Sequence, residues 1–233
     1  MKLPFRDRFE AGRFLAERVQ KYVGRDDVRV LALPRGGMPV GFELAKVLHA
    51  PLDVFVVRKL GVPGHEELAM GAIASGGVIV LNEDVLQLLR MPPQMLDFVI
   101  AREKEELERR ERLYRDGRPP VDVRQRVVIL VDDGLATGAT MRAAVAALRK
   151  REPKRIIVAV PVAAGQTCDE LSGEVDEIVC GVTPEPFHAV GVWYQDFSQT
   201  TDEEVQELLR RAAQIQPPDA AAGEPASRAI RPA

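Results

Sequence analysis

Residues 127–140, VVILVDDGLATGAT, constrain the fold more than any other stretch of the chain. Val127 to Val131 form a continuous apolar run, the mark of a strand buried on both faces, where a half-exposed strand would alternate. The run ends on two adjacent carboxylates, Asp132 and Asp133, and a loop of small residues. Met141, Ala144, Val145 and Leu148 then recur at helical spacing. Strand, loop and helix in that order put the loop at the carboxyl end of a parallel strand, where open α/β sheets bind their ligands.

The residue types in that loop favour a particular ligand. Free amides from Leu135 to Ala139, the hydroxyls of Thr137 and Thr140 and the dipole of the following helix suit a phosphate dianion. Gly134 and Gly138 admit the tight backbone. Asp132 and Asp133 would repel a second phosphate but accept hydrogen bonds from two vicinal hydroxyls, which a phosphorylated pentose offers. No Lys follows Gly138 and the glycines are not spaced GxGxxG, so neither an ATP-hydrolysing loop nor a dinucleotide fingerprint is present. A plain polar turn capping a helix is the simpler reading, but it needs only one such residue.

Two further segments carry charge at the ends of apolar runs. In VRVLALPRGGMPVGFELAKVL (28–48), Val28 to Leu33 read as a buried strand, and Val40, Leu44, Val47 and Leu48 as one helical stripe. Between them lies the turn Pro34, Arg35, Gly36, Gly37. In residues 52–85 a β-rich run from Asp53 to Val57 meets the cations Arg58 and Lys59. The stretch from Leu60 to Gly71, broken by Gly61, Pro63 and Gly64, reads as a flexible loop.

Four apolar residues, two acids and a loop closing on Thr137-Gly138-Ala139-Thr140 resemble the signature of the type I phosphoribosyltransferases. The resemblance implies a Rossmann-like doubly wound parallel sheet with a helical insertion and a small C-terminal hood. It implies Asp132 and Asp133 as binders of the ribose hydroxyls, and Ala136, Thr137, Gly138, Ala139 and Thr140 as the cradle for the 5-phosphate of phosphoribosyl pyrophosphate (PRPP). Pro34, Arg35, Gly36 and Gly37 match the family's pyrophosphate loop, with a cis peptide expected between Pro34 and Arg35. Arg58 and Lys59 match a pair placed near the diphosphate, ahead of a lid.

The activity so implied is transfer of the phosphoribosyl group to a ring nitrogen of a base, with release of pyrophosphate. Mg²⁺ is implied as a cofactor carried by PRPP, with no direct protein ligand. Ala136 stands where enzymes for 6-oxopurines usually carry an Asp, and RKLGVPG (58–64) is similar to the lid of adenine-type members, so a purine-like acceptor is expected. A PRPP-binding regulatory protein without turnover is the alternative.

Residues 180–212 follow the last expected strand and hold Phe187, Trp193, Tyr194 and Phe197. Trp193 and Tyr194 are the candidates for stacking on the base, unless these rings simply pack the last helix onto the sheet. His65, Glu66 and Glu67 fit either acid–base groups on the lid or a solvated turn, and His188 reads as a surface residue. Cys168 and Cys180 lack CxxC spacing and are expected to be reduced.

Strands are expected near 28–33, 53–58, 127–132, 155–160 and 175–180, and helices near 7–22, 39–49, 138–151, 165–172 and 202–214. One phosphoribosyltransferase domain over 1–215 is expected, with an insertion at about 70–118, a hood at about 180–200 and a Pro-, Ala- and Gly-rich disordered tail over 216–233. A formal charge of −3 without a concentrated basic face argues against nucleic acid as partner. The absence of an apolar run of membrane length and the charged start MKLPFRDRFEAG imply a cytoplasmic protein with no membrane partner. Helix 102–115 alternates sign through the pairs Glu105–Arg109, Glu106–Arg110 and Glu108–Arg112. Met95, Leu96, Val99, Ile100 and Leu107 would dock its inner side and leave room for a homodimer.

Overall fold

The apolar runs become the centre of a computed structural model that describes residues 3–215. The elements are α1 (Arg8–Ala16), β1 (Val28–Ala32), α2 (Gly37–Leu48), β2 (Leu52–Val54), β3 (Val57–Val62), β4 (His65–Ala74), β5 (Val78–Leu81), α3 (Glu83–Leu89) and α4 (Pro93–Arg115). They continue with β6 (Val127–Val131), α5 (Ala139–Arg149), β7 (Arg155–Val162), α6 (Gly165–Ser172), β8 (Glu177–Val182) and α7 (Asp202–Ile215). Strands β2-β1-β6-β7-β8 pair in that order, all parallel.

Every residue of β1 and β6 is buried; β6 is apolar throughout, and β1 is apolar but for Arg29, whose guanidinium donates to the Asp26 and Val28 carbonyls at 2.7 and 2.8 Å. Alternate side chains serve opposite cores. Val28, Val30, Val127 and Ile129 meet residues of α1, α2 and α7, whereas Leu31, Val128, Leu130 and Val158 meet those of α5 and α6. Each such aliphatic side chain contributes roughly 1.5–3 kcal/mol when fully buried. The sheet covered on both faces is the doubly wound architecture expected.

The ends of the first and last helices follow their cap residues. Asp7 Oδ1 accepts from the Glu10 amide at 2.7 Å and starts α1. Thr201 and Glu204 satisfy each other's amides at 3.2 and 2.7 Å and start α7. Helix α1 stops at Ala16, short of the expected Tyr22, and a 3-10 turn covers Gln20–Tyr22.

The expected strand at 53–58 is two strands. Strand β2 ends at Val54, and the chain crosses into a separate antiparallel sheet, β3-β4-β5, with Val56 and Ser75 exchanging bonds at 2.8 and 2.9 Å. Residues 60–71, read as a loop, instead form the hairpin of β3 and β4 with the turn at Pro63 and Gly64. The physical reason is a buried apolar face: Leu60, Val62 and Met70 share a core with Val99 and Leu107 of α4. The insertion therefore opens at Val57, well before Met70. Pro92 separates α3 from α4.

Cys168 of α6 and Cys180 of β8 are joined as a disulfide, with Cα atoms 6.7 Å apart. This corrects the reading of both as reduced. Their sequence spacing excluded a CxxC motif, but α6 packs back on β8 and brings the two sulfurs together. No helix among the described residues is long and apolar enough to cross a membrane. The tail expected over 216–233 lies outside the described residues.

Candidate active site

Strand β1 has β2 on one side and β6 on the other, so the chain reverses its direction of winding between β1 and β6. Crevices of open α/β sheets form at such a point. Ala32 is in register with Val131, and the Leu33 amide donates to the Val131 carbonyl at 2.9 Å. The turns that follow, 34–37 and 132–140, therefore rise side by side. A Cβ on Gly37 would stand 2.8 Å from the Val131 carbonyl, and one on Gly36 would stand 2.7 Å from Cγ of Asp133. Only glycine lets these two turns meet. The peptide between Pro34 and Arg35 is cis, as expected.

The acid pair is tightly held. The Asp133 amide donates to Asp132 Oδ1 at 2.9 Å, and Arg8 Nε donates to Asp133 Oδ2 at 2.8 Å. Arg8 also donates to the Ser198 carbonyl at 2.7 Å and lies 3.9 Å over the Phe197 ring. Burial pushes the Asp132 carboxyl well above the ordinary range, and the neighbouring Asp133 charge pushes it further. Asp133 is raised by burial too, against the opposing pull of the Arg8 guanidinium. At least one proton is thus held more firmly than exposed aspartates hold theirs.

The loop over Ala136–Thr140 is open above and tethered below. Ala136, Thr137, Ala139 and Thr140 are exposed, and their amides have no backbone acceptor among the described residues. Gly138 is buried at φ +74, the left-handed conformation that starts α5. Thr167 Oγ1 donates to the Ala136 carbonyl at 2.6 Å, and Arg142 donates to the Thr137 carbonyl at 2.9 Å. Both loop carbonyls are thereby turned inward, away from a bound anion.

Other candidates sit differently from their reading. Tyr194 is 5% exposed, between Phe5 and Phe197, and its hydroxyl donates to the Asp133 carbonyl at 2.5 Å. Its ring offers no face to a base, so it is a tether of the acid loop and not a stacking platform. Trp193 is half-buried and stacks on Phe187 with centroids 6.4 Å apart. Arg35 faces Asp202 at 3.5 Å. Arg58 is no free cation: it is bonded to the buried Glu103 at 2.6 and 2.9 Å, while Lys59 is exposed. His65 is exposed at the start of β4, and His188 is exposed as read.

Arg8, Thr167 and the N-terminal strap are the parts that sequence reasoning missed. Phe5 bonds the backbone of Trp193 and Gln195 at 2.8 and 2.7 Å, so the hood is built from both ends of the chain. Only the unusual position of an Arg in the first turn of a helix, against the dipole, could have flagged Arg8.

The family profile described as "Phosphoribosyl transferase domain" matches residues 6–192. A Mycobacterium tuberculosis protein whose name marks it as a provisional phosphoribosyl transferase is 47% identical over 212 residues. That match covers 91% of this chain and 47% of the relative, so the chain spans about half the length of that curated protein. The bifunctional protein PyrR of Clostridium acetobutylicum is 30% identical over 155 residues, 66% of this chain and 67% of its own. The crystal structure of TT1426 from Thermus thermophilus superimposes with a TM-score of 0.78 at 42% identity, covering 89% of this chain and 98% of that one. With motif, topology and relatives in agreement, the chain belongs to the phosphoribosyl transferase family.

Proposed function

We propose that this chain transfers the 5-phosphoribosyl group of PRPP to a nitrogenous base and releases pyrophosphate. One observation carries the reading: Asp132 and Asp133 stand between two amide-rich turns, 34–37 and 136–140, that rise from adjacent strand ends. Two anion sites flanking a pair of hydroxyl acceptors match a pentose phosphorylated at both ends. The turn at 136–140 takes the 5-phosphate, and the turn at 34–37 with Arg35 takes the diphosphate. Arg58 and Lys59 approach the leaving group if β3 and β4 swing inward and Arg58 exchanges Glu103 for phosphate oxygens.

The donor set fits a cation that arrives with the substrate. No group of three or more His, Cys, Asp or Glu able to hold a metal exists among the described residues, yet Asp132 and Asp133 are hard oxygen donors. Mg²⁺ bound to PRPP would neutralise the departing diphosphate, with these two carboxylates addressing it through ribose hydroxyls and water. The residues of the chain orient the pentose and stabilise the positive charge that builds on it. Ala136 provides no general base beside the acceptor, which supports a purine-like base lacking a 6-oxo group. Trp193 remains the proposed stacking residue.

Arg8 is a positioning residue in this scheme, keeping Asp133 ionised for the ribose. Arg8→Met removes the pull that lowers the Asp133 pKa, so the acidic limb of kcat/KM should move to higher pH. Activity lost at pH 6 should return in part at pH 8, and an unshifted profile would count against the role. Breaking one partner of so buried a pair also costs stability, about 3–5 kcal/mol.

One observation favours a second reading, a PRPP sensor without turnover. Arg58 and Arg35 already face Glu103 and Asp202, at 2.6 and 3.5 Å, so the diphosphate side is partly neutralised. The two are separated by incubating a panel of free bases with PRPP and Mg²⁺ and following diphosphate release, with an Asp132→Asn/Asp133→Asn variant as control. Release dependent on one base establishes the transferase. PRPP-dependent thermal stabilisation with no release from any base establishes the sensor.

A further inference from the structure

Away from these loops lies a cavity of about 340 Å³ lined by Gly76, Glu108, Arg112, Arg115, Arg118 and Arg151 among others. Gly138 opens α5 and Arg151 lies just past its other end, so the eleven-residue helix separates cavity and phosphate loop by about 16 Å. Nothing in the proposed transfer reaction uses this place.

The arginines here are not equally occupied. Arg115 is spent on Asp53, at 2.9 and 3.0 Å, and on Glu111, at 2.8 Å. Arg112 keeps a loose partner in Glu108 at 3.6 Å. Arg118 donates to the backbone carbonyls of Arg115 and Tyr114, at 2.9 and 3.4 Å, and has no carboxylate partner among the described residues. Arg151 has no ion pair and no side-chain hydrogen bond among the described residues, and its guanidinium rests against Gly76. Arg118 and Arg151 thus line one cavity without a carboxylate bonded to either, although Glu108 and Glu111 line it too and Asp53, Glu111 and Asp122 lie near enough to Arg151 to act on its charge; a guanidinium so placed gains from an anion that bonds it directly.

We infer that this cavity is a second binding site, for a phosphorylated small molecule whose phosphate is clamped by Arg118 and Arg151. Paired guanidinium forks match the several oxygens of a phosphate better than a single lysine-like point charge does. Glu108 at the rim selects against a bare polyanion and for a ligand with hydroxyl groups, so a sugar phosphate or nucleotide fits better than a chain of phosphates. The Arg151 pKa is lowered, first by burial and then by the nearby Arg115 charge, against the opposing pull of Asp53, Glu111 and Asp122.

The test is calorimetric titration of the full chain with ribose 5-phosphate, beside Arg118→Gln/Arg151→Gln and Asp132→Asn/Asp133→Asn variants. Two binding events are expected in the parent. The arginine variant should lose one by at least tenfold in affinity and keep the other, and the aspartate variant should show the reverse. A parent that shows the arginine-dependent event and no aspartate-dependent one would sink the proposed function and leave this site standing. A parent with no event sensitive to Arg118 and Arg151 overturns the site. Arg151→Gln alone guards against misfolding, because removing an unpaired cation should leave the thermal midpoint of the free protein unchanged or higher; a lower midpoint would show that the arginine serves packing and would also overturn the inference.

Discussion

Asp132→Asn is expected to raise the thermal midpoint at pH 7 while reducing turnover about 10²-fold or more. Burial and the adjacent Asp133 hold the Asp132 pKa above its ordinary value. A carboxyl of that kind favours the fold below the unfolded pKa of about 3.9 and loses the contribution as pH climbs through the folded value. At neutral pH the native state therefore bears the cost either of a buried charge or of the proton uptake that avoids it. Asparagine removes that charge and keeps an oxygen for the Asp133 amide, which now bonds Asp132 Oδ1 at 2.9 Å. A gain on the order of 1 kcal/mol corresponds to roughly 2–4 °C in a domain of this size. The loss in rate follows from charge-assisted hydrogen bonds to the ribose, worth about 1.5–3 kcal/mol each, and from the missing negative charge near the reacting carbon. Calorimetry at pH 4 and pH 7 checks the first half: the gain should be present at pH 7 and small at pH 4. A variant less stable at pH 7, or one with unimpaired turnover, would remove Asp132 from the role given to it.

Such an exchange of stability for ligand readiness explains which parts of the site could be read from residues alone. Val127 to Val131 declare themselves because a strand buried on both faces is apolar throughout, and Val28 to Leu33 do so with Arg29 as the one buried exception. The turns after them are legible because anion-binding backbone requires Gly36, Gly37 and Gly138. The groups that tune the acids follow no local rule. Arg8 reaches Asp133 across 125 positions of sequence, and Tyr194 reaches the same loop from the hood across 61. Their types, an Arg and a Tyr, are common on surfaces. The β3–β4 hairpin was hidden for a different reason: Gly61, Pro63 and Gly64 carry loop signals, while the burial of Leu60 and Met70 depends on α4, which arrives some thirty residues later. Cys168 and Cys180 met for the same reason, through packing of α6 on β8 that spacing does not encode.

Gly36→Ala tests the contact between the two ligand turns most directly. Its Cβ would fall on the Asp133 carboxylate, 2.7 Å from Cγ, and that carboxylate cannot swing aside cheaply because Arg8 holds Oδ2 at 2.8 Å. Either the cis turn backs away from β6, or Asp133 leaves Arg8 and gives up its charge partner. Both outcomes spoil the distance between diphosphate site and ribose site, and misplacement of about 1 Å is enough to cost about 10²-fold in rate. Overpacking adds about 1–3 kcal/mol of lost stability. Gly173→Ala serves as the control, since its nearest neighbour would be the Glu170 carbonyl at 3.8 Å and its φ of −78 suits any residue. The expected result is a Gly36→Ala protein that folds, with KM for PRPP raised and kcat lowered, beside a Gly173→Ala protein indistinguishable from the parent. Equal activity in the two would show that the turns do not act together, and the pairing of Gly36 with Asp133 would then be packing without catalytic consequence.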